Sequence, residues 1–416
     1  MEPLYTLGCG DRFGRQGKTQ LSAYVEARKR GITVFPVWNK SNREHTTVHT
    51  KPESVRIEAD SAVKALGWNH PYYVDADHIS LKTVDGFLDS SDFFTLDVAD
   101  NIGERAPEDD IEAFAVEAAS RFGSVKLPGL NAVLTIGLDD AKRAAEKYLS
   151  AVQEAGRIYR LIAERKEGSF MVEVSMDETD QPQSPVELAL ILAMVAQEGI
   201  PLDTIAPKFS GRFNKGVEYV GNVALFAEEF EQDVVVLKLA KELFGMAKIP
   251  RLSVHSGSDK FALYPVMNRI VRKHGAGLHV KTAGTTWLEE VIGLAEAGGS
   301  GLEVAKKIYA AAYDRYDELA APYASVIDIA QEKLPLVDEV EGWSGRRFVD
   351  ALRHDQSCPL YDPAFRQLIH VAYKVAYELG AEYTSALEEH AEIIGRNVAS
   401  NLLNRHIVPI FGTGGE

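Results

Sequence analysis

The sequence predicts a (β/α)8 barrel of the TIM type with a C-terminal helical extension. Two observations carry this. Eight short β-rich segments alternate with helical patterns through the first 299 residues, and the strand signal then disappears. With 416 residues, the chain is long enough for a barrel of roughly 250 residues and an appended unit. The division is accordingly 1–299 for the catalytic barrel and 300–416 for helices packed on it.

The strand segments are LYTLG at 4–8, ITVFPV at 32–37, YYVDA at 72–76, FFTLDV at 93–98, FMVEVS at 170–175, TIAPKF at 204–209, RLSVHS at 251–256 and GLHVKT at 277–282. Each is rich in β-branched or aromatic residues and ends in polar ones. Helical periodicity marks 17–30, 108–122, 139–166, 184–198, 222–245 and 285–298. The fifth of these has Asn222 in front and Gly245 behind, both suited to capping. Further helices are expected at 301–320, 322–333, 363–380 and 382–404, with a polar connection through Gly342, Trp343 and Gly345.

Composition narrows the partners. With 61 acidic and 45 basic side chains the net charge is −16, which repels nucleic acid and anionic membrane surfaces, so a small-molecule partner is expected. No run reaches the roughly 18 apolar residues of a membrane span. Cys9 and Cys358 form neither a disulfide framework nor a zinc-finger spacing, which fits a reducing cytoplasm. A homo-oligomer is left open.

A barrel carries its chemistry at the C-terminal ends of its strands, and here those ends are polar. Strand alternation opposes Glu173 and Ser175 to Val172 and Val174, His255 to Val254, and His279 and Lys281 to Leu278 and Val280. The apolar set suits the surrounding helices, which turns the polar set into the barrel. Taken singly, each such residue reads equally well as a hydrogen-bonded interior group. Jointly, His78, Glu173, His255 and His279 are candidate ligands for a divalent metal ion. Buried ionisable groups are costly unless paired or metal-bound.

The loops HSGSDKF at 255–261 and TAGTTW at 282–287 place small residues before helices, where backbone N–H groups and the helix dipole receive an anion. Ser256, Asp259, Lys260 and Thr285 are the candidates there, for a phosphate or a carboxylate; ordinary capping is the alternative. The segment GCGDRFGRQGKTQ at 8–20 lacks both P-loop and dinucleotide spacing, but Arg12 is a candidate carboxylate clamp. Arg366, Gln367, His370 and Tyr373 share one helix face, suited to reach a substrate carboxylate or to pack on the barrel rim.

The blocks YVDADH, EVSMDETDQPQSP, HSGSDKFALYP, LHVKTAGTTWLE and RQLIHVAYK resemble those of the tagaturonate epimerases. The likeness runs from GDRFG at 10–14 to RQLIH at 366–370. Family members carry a further region before the GDR-containing strand, near which this chain begins. The resemblance implies a cytoplasmic isomerase of hexuronate catabolism that interconverts tagaturonate and fructuronate with a divalent metal ion (Zn, Mn, Co or Ni).

The centre inverted in that reaction is not acidified by the ketone, so retro-aldol cleavage and recombination is the expected route, or else transient oxidation. Asp177, Glu178 and Asp77 are the expected acid/base groups, with Asp259 a further candidate and Lys208 and Lys281 as electrostatic partners or proton donors. Rival readings are an aldolase using Lys208 or Lys281 as a Schiff base, a metal-dependent ketose isomerase acting on another sugar or sugar phosphate, and a sugar-binding protein without turnover.

Overall fold

A computed structural model describes residues 4–282 and 284–413. Ten strands occur among these: β1 Tyr5–Cys9, β2 Phe35–Ser41, β3 Tyr73–Ile79, β4 Phe93–Asp97, β5 Gly123–Lys126, β6 Val133–Ile136, β7 Met171–Met176, β8 Thr204–Pro207, β9 Arg251–Val254 and β10 Leu278–Thr282. Eight of them close a parallel barrel in the order β1-β10-β9-β8-β7-β4-β3-β2. This is the predicted (β/α)8 architecture. All eight predicted strand segments fall in it, each within a few residues of its expected bounds.

The sequence reading missed β5 and β6, an antiparallel hairpin outside the barrel, and started β2 three residues early. Ile32 and Val34 are buried before β2 begins, and the strand continues through Asn39, Lys40 and Ser41. Lys40 finds a tertiary partner there, its ammonium donating to the Arg12 carbonyl at 2.8 Å.

Helices Gly17–Lys29, Glu108–Phe122, Leu138–Arg165, Pro185–Gln197, Val223–Phe244 and Thr285–Ala297 stand where periodicity puts them. Asn222 accepts from two backbone N–H groups of its helix, and Gly245 ends it with φ +65°. Glu53–Leu66 and Tyr264–His274 complete the outer ring and were not predicted.

Among the C-terminal helices, Gly345–Leu352 forms where a polar connection was expected, and the expected helix at 322–333 does not form. Its place holds two 3-10 turns, Ala321–Tyr323 and Gln331–Lys333, with irregular chain between. Pro322 can occupy only the first turn of a helix without disrupting it.

Two apolar cores result. One fills the space between barrel strands and helices, and the other joins Trp287, Leu288 and Val291 of the last barrel helix to the C-terminal helices. The extension is therefore built onto the eighth helix and lies against the barrel's strand-end face. Inside the barrel, a small plug of Val37, Phe93 and Met171, with Tyr73 against it, closes the lower end, leaving the layers above it to polar side chains. Both cysteines are free. Among the described residues no helix is long and apolar enough to cross a membrane.

Candidate active site

The polar layers begin one residue pair above the plug. Strand alternation points Asp75, Thr95, Glu173, Ser253, His279 and Lys281 inward, and all are buried. Lys281 is the hub. Its ammonium lies 2.7 Å from Asp75 Oδ2, 2.7 Å from Asp77 Oδ1 and 3.1 Å from Glu173 Oε1, and it donates to Thr95 Oγ1 at 2.5 Å. Burial works against ionisation of Lys281, but these carboxylates overcome it and hold the ammonium well above the usual lysine range.

Above the hub stand two imidazoles. His255 Nε2 meets Glu173 Oε1 at 2.7 Å and its Nδ1 lies 3.1 Å from Asp177 Oδ1. His78 Nδ1 lies 3.6 Å from Asp97 Oδ2, and the two rings are 5.1 Å apart, edge to face. Burial alone would discharge His255, yet Asp177 and Glu173 raise it to about 10. Asp177 in turn is held below the ordinary carboxylate range: burial is outweighed by His255, and Ser175 donates to it at 2.5 Å. Glu178 is shifted the other way, upward, by burial.

Backbone geometry accounts for the convergence. The β3–β4 register slips between Ala76 and Ile79, and a bulge of this kind re-aims side chains. Asp77 and His78, which alternation would send to opposite faces, both line the mouth. His78, Ser256 and Asp259 have φ of 53°, 49° and 63°, the left-handed region that costs a non-glycine residue of order 1–3 kcal/mol. His78 and Ser256 line the mouth, so the surrounding packing holds strain where the polar cluster is.

The mouth is a cavity of about 630 Å³, within the range of small-molecule sites. Asp77, His78, Asp97, Asp177, Glu178, Lys208, His255 and Lys281 line it. Arg12, Arg43, Glu44 and Lys215 line it too, and Pro322, Tyr323, Ser325 and Val326 of the extension contribute to its wall. Arg12 is paired with Glu44 and lies over the Tyr373 ring at 4.0 Å. Lys208 donates to the Thr179 carbonyl. A larger concavity of about 710 Å³, between Leu138–Arg165 and Pro185–Gln197, shares no residue with this cluster.

The five expected acid/base and electrostatic residues Asp177, Glu178, Asp77, Lys208 and Lys281 therefore all line one cavity, as do Arg12 and Ser256. Of the four expected metal ligands, His78, Glu173 and His255 are close neighbours. His279 is set apart: its Nδ1 contacts Thr6 Oγ1 at 2.8 Å, its Nε2 meets no partner, and burial pushes it to about 3, a neutral ring. Among the described residues no three His, Cys, Asp or Glu side chains already converge as a metal site. Glu173 Oε2 is likewise buried without a hydrogen-bond partner.

The structure places the remaining expected substrate contacts away from the mouth. Asp259 is buried against Arg366, with Nη2 to Oδ2 at 3.1 Å. Lys260 is buried and donates to the carbonyls of Asn214, Val217 and Ser258. Arg366 also donates to the carbonyls of Gly216 at 2.5 Å and Leu352 at 2.7 Å. His370 is buried against Gly216 and Gly284: a Cβ built on Gly284, whose φ is +75°, would lie 2.4 Å from the His370 ring. Thr285 is buried away from the mouth.

Asp259, Lys260 and Arg366 are bonded behind the cavity wall, Thr285 and His370 are buried, and none of the five lines the mouth. The sequence reading gave no role to Asp75 below the hub and missed Lys215 in the loop after β8 and the particular residues of the extension that form the wall. Asp75 was legible as an alternation partner of Asp77; the others sit on irregular chain with no periodic signal.

A family model described as "UxaE: tagaturonate epimerase" matches residues 2–391. The tagaturonate/fructuronate epimerase of Thermotoga maritima is 28% identical over 418 aligned positions, spanning 97% of this chain and 80% of that protein. Crystal structures of the fructuronate-tagaturonate epimerase UxaE from Cohnella laeviribosi, native and with glycerol, superpose with TM-scores of 0.80 and 0.81. At 23% identity, over 99% of this chain and 82% of theirs, they show a shared fold.

Proposed function

The chain belongs to the tagaturonate epimerase family and is an isomerase-class enzyme, and from that premise we propose that it interconverts tagaturonate and fructuronate by breaking and reforming one carbon–carbon bond. The inverted carbon lies one position beyond the carbon adjacent to the ketone, so its hydrogen is not acidic and enolisation alone cannot invert it. Retro-aldol cleavage solves this. The hydroxyl on that carbon gives its proton to a base, the bond to its ketone-side neighbour breaks, and the electron pair passes to the ketone half as an enediolate. The aldehyde left behind turns over, the bond reforms on its other face, and the new alkoxide takes a proton.

The observation that carries this reading is the grouping of carboxylates of opposite proton affinity around one cavity. Asp177, kept ionised by His255, is suited to take the hydroxyl proton. Glu178, raised by burial, is suited to hold a proton for its return. Asp77 is the alternative group on the β3 side of the mouth. Lys281 offers fixed positive charge beneath the developing enediolate, with no reorganisation needed.

The donor chemistry fits a divalent cation as well. His78 and His255, with the free oxygen of Glu173, combine imidazole and carboxylate donors in a buried acidic setting. A divalent cation held there would polarise the ketone as a Lewis acid. The His255 proton maintained by the two carboxylates would leave on loading, which makes loading pH-dependent.

A lysine Schiff base is less well supported, because that chemistry needs a neutral amine and Lys281 is caged by three carboxylates.

The test is incubation of metal-loaded protein with tagaturonate, fructuronate, tagatose and fructose, with products read by NMR in D2O. The expected result is epimer formation from the keto-uronates without deuterium at the carbon beside the ketone. No epimer from any of the four overturns the assignment. Deuterium incorporation at that carbon would instead favour an isomerase.

A further inference from the structure

The mouth carries charges of both signs. Besides the carboxylates and imidazoles of β3, β4, β7 and β9, the cations Arg12, Arg43 and Lys215 line it. Two of these cations are engaged. Arg12 is paired with Glu44, and Arg43 is exposed, reaches the Pro322 carbonyl and lies over the Tyr323 ring. Lys215 differs. Its side chain lines the cavity and is only partly exposed, yet among the described residues its ammonium makes no hydrogen bond or ion pair. Burial and the nearby Arg12 both disfavour its charge.

The backbone that presents Lys215 is held firmly. Its N–H donates to the Val326 carbonyl at 2.8 Å, and its carbonyl accepts from Gln367 Nε2 at 3.3 Å. The next carbonyl, of Gly216, accepts from Arg366. Gly216 has φ +73°, and a Cβ there would lie 3.1 Å from His370 Nδ1. The helix face of Arg366, Gln367 and His370 thus grips the loop, leaving only the lysine tip free. A desolvated cation on a pinned backbone, with no partner of its own, is a pre-organised anion receptor: its cost in the free protein is recovered when an anion binds.

We infer that Lys215 is the carboxylate-binding residue of this enzyme, with Arg12 beside it, and that the carboxylate it takes is the terminal one of a linear sugar acid. This rests on the epimerase reading and orients it. The ketone and hydroxyls then lie toward Asp77, Asp177 and Lys281. After cleavage the carboxylate remains on the aldehyde half, so Lys215 holds one end of that fragment while its carbonyl turns over. The contact is the same before and after cleavage, so it holds ground and transition states alike.

The test compares wild type with Lys215→Met and Lys215→Arg, and Lys215→Gln if the methionine variant fails to fold. KM for tagaturonate is expected to rise roughly 10- to 100-fold in the methionine variant, the loss of a charge-assisted contact, with kcat within about 3-fold. The arginine variant should retain most of the affinity. Calorimetry with D-gluconate and D-glucitol, unreactive chains that differ by the carboxylate, reads the same contact without turnover. Wild type should prefer gluconate by about 10-fold or more, and Lys215→Met should lose that preference.

An unchanged KM, a fall in kcat at constant KM, or a gluconate preference that is absent in wild type or survives in Lys215→Met overturns the inference. If wild type turns over no keto-uronate, the epimerase reading fails, and calorimetry alone then decides whether Lys215 receives carboxylates.

Discussion

Arg366→Met separates two roles that the sequence left open, a substrate contact and an internal brace. The guanidinium is fully buried and bonded to Asp259, to the Gly216 carbonyl and to the Leu352 carbonyl. Removing it strands the Asp259 charge, which burial makes costly: breaking a buried pair from one side typically costs about 3–5 kcal/mol. Two carbonyls also lose a charged donor, at about 1–3 kcal/mol each when nothing replaces it. These losses overlap, because Asp259 can take up a proton and the methionine stem keeps part of the packing. The expected net is about 4–6 kcal/mol, against a total stability of roughly 5–15 kcal/mol for native proteins.

Urea unfolding followed by tryptophan fluorescence measures the loss. The double variant Arg366→Met/Asp259→Asn should recover part of it, since no unpaired carboxylate then remains. Any rise in KM should not exceed that of Lys215→Met, because Arg366 acts on substrate only through the loop it holds. If Arg366→Met unfolds within about 1 kcal/mol of wild type while KM rises more than in Lys215→Met, the brace argument is refuted and Arg366 contacts the substrate.

Three further outcomes are expected. Asp177→Asn should lower kcat by roughly 10²- to 10⁴-fold in a protein that still folds; full turnover with an intact fold would remove Asp177 as the base. His406, buried with its Nδ1 on the Asn401 carbonyl and its Nε2 accepting from the Asp259 N–H, is pushed by burial from 6.5 to about 4. Its folded-state pKa is depressed, so the unfolded chain takes the proton first. Its contribution is complete above pH 6.5 and is lost as pH falls to about 4. Wild type should therefore lose on the order of 3 kcal/mol more than His406→Gln across that window in urea titrations, and parallel profiles would contradict the assignment. Finally, dialysis against a chelator should abolish epimerisation, and Zn, Mn, Co or Ni should restore it. Full turnover at substoichiometric metal, measured by elemental analysis, would remove the cation from the mechanism.

Much of the fold was written in local patterns. The eight strands were legible because β-rich segments of a few residues end in polar groups and alternate with 3.6-residue periodicity. The inward set followed from a period of two, which is a property of a strand by itself: Glu173 opposite Val174 and His255 opposite Val254 needed no tertiary information. Helices Glu53–Leu66 and Tyr264–His274 went unread, and Pro322 marked the irregular chain that took the place of an expected helix.

The site was legible as a set of strand-end residues but not as an arrangement. Alternation could not place Asp77 and His78 on one side, because the bulge that does so arises from pairing with β4. The polar face of Arg366, Gln367 and His370 was correctly seen as a unit, and its partner was not, since a helix face specifies spacing and says nothing of what lies opposite. Local sequence thus determined the barrel, its polar interior and the acid, imidazole and lysine groups at its mouth, because strand and helix periods act over a few residues. Only the tertiary structure decided that Asp259 and Arg366 satisfy each other behind the wall while Lys215 stands uncompensated in front of it. Charge pairing in a buried region depends on which chains meet across more than a hundred residues, and no local period encodes that.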